Sequence, residues 1–306
     1  MDYAALTFTP CCETETLLGE GPVWDDRRNL LWLVDILAPA LLSWCPATAR
    51  LDRYEMPDLI TSVSLTGDDR LLISLRKSVC FFDPTTGVLD TLVTPEPNRP
   101  MNRLNDGKIG PDGALWIGSM HATRPAQPTA ALYRVTPDGG CRLMIDDVHV
   151  SNGLAWSPDH KVMYHADSRA PSVTAWAFDS LTGDIGNPQP FAAPTEAEGL
   201  PDGAAVDTDG NYWIAGVTGG CVHVYAPDGR LLDRIPAGMD APTMPCFGGA
   251  DGQTLFLTGL TRDAGGKRSE GRLMSAHVPV RGVPVARFGQ PLVGGIVQAA
   301  DGPIAG

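Results

Sequence analysis

Apolar residues occur along this chain in short bursts rather than long stretches. Runs rich in Val, Ile, Leu, Tyr and Trp are bounded by Asp-Gly, Pro-Asp or Thr-Gly pairs, the pattern of short strands closed by tight turns. It predicts strands at Leu30–Asp35, Leu71–Leu75 and residues 78–82, 132–135, 173–178 and 222–225. With 34 Gly and 27 Pro, breakers come too often for any window to hold a 3.6-residue apolar period over the length of a stable helix. Helix is therefore expected to be scarce.

The strands repeat as a unit. Turn aspartates Asp26, Asp69, Asp112, Asp159, Asp209 and Asp251 are separated by 43, 43, 47, 50 and 42 residues, intervals close to the roughly 40 to 50 residues of a four-stranded propeller blade. Second hairpins follow within the copies, with turns at 83–87, 137–139, 180–183 and 227–229. Six copies predict an all-β fold, a six-bladed β-propeller with four antiparallel strands per blade, filling residues 1–306 as a single domain. Ring closure is expected to pair residues 7–17 with strands near 285–292. The two-proline loop at 122–129 is the expected flap.

One position in the repeat stands out chemically. Seven residues before the turn aspartate lie Ser62, Asn105, Asn152, Asp202 and Met244, and Glu20 stands six before Asp26. In a propeller the innermost strands line the channel, so these side chains converge on its axis. A packed core would take Val or Leu there, whereas Glu20, Asn105, Asn152 and Asp202 offer oxygen donors suited to a hard divalent cation. Gly21, Gly107, Gly153 and Gly203 follow them directly or after one residue, which permits backbone bulges that aim the side chains inward.

Composition narrows the partners. Twenty-three Lys and Arg against 36 Asp and Glu give a formal charge of −13, which disfavours nucleic acid and anionic membrane surfaces and favours a small ligand or a metal. No run has the length of a membrane span, and the start of the chain lacks the basic and apolar regions of a signal peptide, so a cytoplasmic location is expected. The seven cysteines form no C-x-x-C pair and are read as reduced, small apolar core residues. The histidines lack H-x-x-x-H spacing, which argues against a histidine-built zinc site. Ser62 lacks triad partners at recognisable spacing. Trp24, Trp116, Trp156 and Trp213 recur at strand positions that fit packing between blades.

Several motifs resemble those of the senescence marker protein/gluconolactonase, or regucalcin-like, family. They are Leu-Gly-Glu-Gly-Pro-Val-Trp at 18–24, Val-Asp-Ile at 34–36, Asn-Arg-Leu-Asn-Asp-Gly-Lys at 102–108, Ser-Asn-Gly-Leu-Ala-Trp-Ser at 151–157, Leu-Pro-Asp-Gly at 200–203 and Cys-Phe-Gly-Gly at 246–249, in order along the chain. The resemblance implies a six-bladed propeller whose single divalent metal ion (Ca²⁺, Zn²⁺, Mn²⁺, Mg²⁺ or Fe²⁺) is held by Glu20, Asn152 and Asp202, with Arg103 and Asn105 against a sugar lactone. Many relatives carry an acidic cluster reaching substrate hydroxyls where this chain has His121, Ala122, Thr123 and Arg124. His121 and Thr123 therefore become the candidate substrate contacts there.

The expected reaction is hydrolysis of an aldonolactone (a glucono-, xylono- or arabinonolactone) to the aldonic acid. A cation polarises the carbonyl as a Lewis acid, and Asp202 is the general base. Two alternatives stand beside it: metal-dependent hydrolysis of a phosphotriester or aryl ester, and a non-catalytic interaction or calcium-binding propeller. An interaction propeller would put its specificity on rim loops and leaves the polar axis without a purpose.

Overall fold

A computed structural model describes Tyr3, residues 6–264 and residues 267–292. Its architecture is all-β, with no helix among the described residues. Six four-stranded antiparallel sheets are arranged as the blades of a propeller. Blade 1 comprises Gly19–Asp25, Leu30–Asp35, Ala40–Cys45 and Arg50–Glu55, and blades 2 to 5 repeat that up-and-down order. Their innermost strands are Ile60–Leu65, Asn102–Ile109, Ser151–Trp156 and Pro201–Val206, and that of blade 6 is Pro242–Gly248. Predicted strands Leu30–Asp35 and Leu71–Leu75 have the observed limits.

Ring closure differs from expectation in its partner. The N-terminal strand Thr9–Thr16 does join the last blade, but it pairs with Gly271–His277, the third strand of blade 6. Residues 285–292 do something else. They cross the end of the propeller opposite the ring residues: Phe288 bridges Thr66 of blade 2, Gly289 N donates to Gly113 O and Leu292 N to Pro111 O of blade 3. Arg287 reaches Asp25 and contacts Asp26. The segment thus supplies main-chain donors to loops of other blades, which a fourth strand of one blade could not do. Blade 6 also carries an unpredicted small hairpin, Arg262–Ala264 with Lys267–Ser269.

Blades are held together by apolar seams in which tryptophans recur. Trp24 stacks on Phe256 of blade 6, Trp116 meets Trp156 across blades 3 and 4, and Trp213 meets Phe247 across blades 5 and 6. Trp116 and Trp213 are fully buried, so packing rather than sugar stacking occupies them. Cys80, Cys221 and Cys246 are buried as expected of core thiols, whereas Cys141 is exposed. It begins an outer strand, Cys141–Val148, whose first residues face solvent.

Candidate functional site

All six innermost strands are irregular at the same place. Pairing with the second strand slips at Glu20/Val23, Ile60/Ser62, Leu104/Gly107, Asn152/Ala155, Pro201/Ala204 and Pro242/Pro245. Such bulges re-aim side chains, and here each one carries a ring residue. Two different physical reasons select glycine beside them. Gly21 has a φ of +53°, which costs a Cβ-bearing residue energy. Gly203 does not have a positive φ; instead a Cβ on it would lie 2.3 Å from Met244 Cγ. Glycine there lets neighbouring bulges touch.

The ring residues form a continuous circle. A Cβ on Gly21 would lie 3.3 Å from Ser62 Cα, and one on Gly107 would lie 2.9 Å from Ser62 Oγ. Asn105 Nδ2 donates to Ser151 O and to Asn152 Oδ1, both at 3.0 Å. Asn152 Nδ2 donates to Ser168 Oγ at 2.8 Å, and Ser168 Oγ donates to Pro201 O at 2.6 Å, next to Asp202. Gly203 against Met244 continues the circle, and Thr243 Oγ1 donating to Gly19 O at 2.5 Å closes it.

Charge is concentrated on this circle. Glu20 accepts one hydrogen bond, from Gly21 N at 3.1 Å. Asp202 accepts none among the described residues. Both carboxylates are reached from the channel yet surrounded by protein, and the surroundings govern their ionisation. Burial, then the charges of Asp202 and Asp106, push the Glu20 carboxyl well above the usual carboxylate range, against the pull of the Gly21 N–H and Arg103. Asp202 is likewise raised by burial and by Asp106, with Arg103 opposing. Arg103 is brought down to about 10 by burial, with Glu20 and Asp202 opposing and Arg76 reinforcing.

The donor set fits a divalent cation. Two enclosed carboxylates repel each other without a hydrogen-bonded cation between them, because Arg103 Nη1 donates instead to Leu104 O at 2.8 Å and Asn105 Oδ1 at 2.9 Å. No group of three His, Cys, Asp or Glu side chains suited to a metal occurs among the described residues; the circle carries two acids, Glu20 and Asp202, and the carboxamide of Asn152, whose Oδ1 accepts from Asn105. Hard oxygen donors with two negative charges match Ca²⁺, Mg²⁺ or Mn²⁺ more closely than a soft metal.

Not every expected residue lies on the circle. His121 ends the strand Leu115–His121 and pairs with Asn102, the neighbour of Arg103. Its Nδ1 lies 3.0 Å from Thr123 O and 3.3 Å from Thr123 Oγ1. The two residues thus hold each other at the rim, and they make no hydrogen bond to the ring.

Three further elements emerge from the fold. Asp106 and Lys108 are charges buried beside the ring: burial raises Asp106, opposed by Lys108, and burial lowers Lys108, opposed by Asp106. Lys108 Nζ also donates to Ala204 O. Both belong to a strand in which only Leu104 and Ile109 are apolar, so their spacing did not set them apart from its other polar residues. Glu96, only 4% exposed, accepts from Asn102 Nδ2 at 3.3 Å, Ser119 Oγ at 2.7 Å and Tyr133 OH at 3.1 Å. Asn102 in turn donates to Thr129 O at 2.7 Å. This network fixes the strand carrying Arg103 and the root of the 122–129 loop, and nothing in the sequence around Glu96 announced it.

Residues 18–261 match the family described as SMP-30/Gluconolactonase/LRE-like region. Regucalcin of Oryctolagus cuniculus is 33% identical over 277 residues, 87% of this chain and 93% of that protein, and regucalcin of Homo sapiens is 34% identical over 78% and 82%. Among solved structures, a luciferin-regenerating enzyme superposes with a TM-score of 0.86 at 27% identity, covering 93% of this chain and 99% of the other. The calcium-binding protein regucalcin of Agrobacterium tumefaciens gives 0.82 at 27% over 92% and 98%. A gluconolactonase from Xanthomonas campestris gives 0.71 at 25% over 88% and 90%.

Proposed function

Because the chain belongs to the SMP-30/gluconolactonase/LRE-like family, we propose that it is a lactonase that opens a sugar lactone to the aldonic acid with one divalent cation held by Glu20, Asn152 and Asp202. The observation that carries this reading is the enclosed pair Glu20 and Asp202 beside Arg103. A gluconolactonase with the same fold supports the reaction class.

When bound, the cation supplies Lewis acidity at the lactone carbonyl and favours the ionised form of both carboxylates. The Asp202 carboxylate takes a proton from the attacking water as the water oxygen bonds to the carbonyl carbon. As the ring C–O bond breaks, the same proton passes to the departing alkoxide oxygen, leaving the carboxylic acid product. General acid–base help of this kind is worth about 10²- to 10⁴-fold. Arg103 turns its remaining N–H groups to substrate oxygens, and Asn105 holds the guanidinium through Oδ1. The hydrogen bonds from Asn105 and to Ser168 hold Asn152 in place before substrate arrives, so little reorganisation is needed.

The test is metal-stripped protein assayed on pentono- and hexonolactones while single divalent cations are restored. Cation-dependent ring opening is the expected result. Stoichiometric calcium binding with no turnover of any lactone would replace this reading with a calcium-binding role.

A further inference from the structure

The channel mouth carries a second guanidinium beside Arg103. Arg76 follows the second strand of blade 2, Leu71–Leu75, and its carbonyl accepts from Leu104 N at 2.9 Å, which sets its backbone against the residue after Arg103. Its side chain crosses to Asp58, with Nε 2.9 Å from Oδ1 and 3.2 Å from Oδ2. Asp58 stands two residues before the innermost strand Ile60–Leu65, and the Arg76 charge acts on Arg103, so the two guanidiniums are neighbours at this end of the channel.

Both guanidiniums have donors to spare. Arg76 uses only Nε and Arg103 only Nη1 in hydrogen bonds with described residues. None of their remaining nitrogens is sealed from solvent, and the Arg76 side chain is 44% exposed. Acceptors are scarce by comparison. Asp58 is already paired, Glu20 and Asp202 belong to the ring, and residues 121–129 contain no carboxylate. A neutral sugar presents hydroxyls that donate as well as accept, and without a free carboxylate this mouth offers those donors only weaker neutral acceptors such as Thr123 and Gln127. An entrance of guanidinium forks suits instead a group that only accepts and bears negative charge.

We propose that the substrate is an anionic sugar lactone, carrying a carboxylate or phosphate away from the ring carbonyl, and that Arg76 with Arg103 selects it at the channel mouth. This rests on the lactonase reading above. Carboxylate and phosphate share the chemistry that the forks recognise, and separate assays tell them apart.

The experiment compares glucono-1,5-lactone with D-glucaro-1,4-lactone and 6-phosphoglucono-1,5-lactone on the cation-loaded protein. Calorimetry with the stable products gluconate, glucarate and 6-phosphogluconate gives a readout independent of turnover. One or both anionic lactones should exceed the neutral one in kcat/KM. Arg76→Gln should lower the anionic-to-neutral ratio by about tenfold, the scale of one charge-assisted hydrogen bond, and weaken the anionic products in calorimetry. Asp58→Asn releases the guanidinium and should shift the ratio the other way. A wild type that prefers the neutral lactone, or a ratio unchanged in both variants, overturns the anionic assignment while leaving the lactonase reading in place. If no lactone is opened, the lactonase reading fails and calorimetry decides this one: Arg76-dependent binding of an anion sustains it, and equal binding of all three products overturns it.

Discussion

Asn105 and Asn152 occupy equivalent bulges of adjacent blades and are joined by a 3.0 Å hydrogen bond from Nδ2 of the first to Oδ1 of the second. The bond orients the amide oxygen proposed as a metal ligand, while the other end of the same Asn152 amide is held by Ser168 Oγ. Asn105→Ala removes the neutral hydrogen bond that orients Asn152, about 1 kcal/mol, along with those to Ser151 O and from Arg103. Cation affinity should fall about fivefold, as measured by calorimetric titration. Unchanged affinity would mean that Asn152 is oriented by Ser168 alone.

Glu20 and Asp202 are both raised above the ordinary carboxylate range by burial and neighbouring acids, yet a divalent cation requires them ionised. Cation binding should therefore release protons, and affinity should rise with pH until both groups ionise without the metal. Titration in buffers of different ionisation enthalpy counts the protons released. Asp202→Asn should release fewer protons and lose hydrolysis. If the triple variant Glu20→Ala, Asn152→Ala, Asp202→Ala binds metal at the wild-type stoichiometry, the ligand set is wrong.

Arg103 Nη1 bonds to Leu104 O and to Asn105 Oδ1 rather than to the carboxylates, which separates it from the proposed ligand set. Arg103→Ala should leave cation affinity within about twofold and lower kcat/KM by about tenfold or more, equivalent to roughly 1.4 kcal/mol of transition-state stabilisation. Metal titration and lactone kinetics on the same preparation distinguish the roles. A parallel loss of metal and activity would make Arg103 a structural residue.

His165 is buried with Nε2 at 2.8 Å from Ser151 Oγ, and burial brings its pKa down to about 4 against the charge of Asp167. In the unfolded chain the same imidazole protonates near 6.5, so on acidification the unfolded state takes up the proton first. The stability contributed by the neutral ring is present above about pH 6.5 and declines as pH falls toward 4, by about 2 kcal/mol at pH 5. Urea denaturation at pH 7.5 and pH 5 should show a smaller acid loss for His165→Gln than for wild type. Equal losses would show that other groups dominate acid sensitivity over this interval.

Strand positions and blade number were determined by the sequence itself. Asp-Gly turns and β-branched runs act over a few residues, and a repeat of near-constant length makes each local signal recur in register. The ring position was legible for the same reason: Asn152 and Asp202 stand seven residues and Glu20 six from their own turns, and a convergent axis explains polar side chains there. Tertiary structure decided whatever depended on contacts between blades. The partner of Thr9–Thr16 lies in Gly271–His277, and residues 285–292 bond to loops of blades 2 and 3, because these partners lie in blades distant along the chain and meet only once the ring is assembled. Glu96 became visible through Asn102, Ser119 and Tyr133, and Arg76 through Leu104 and Asp58. A buried carboxylate or a guanidinium acquires its role from partners that lie near it in space, and spacing along a chain fixes those partners only within one repeat.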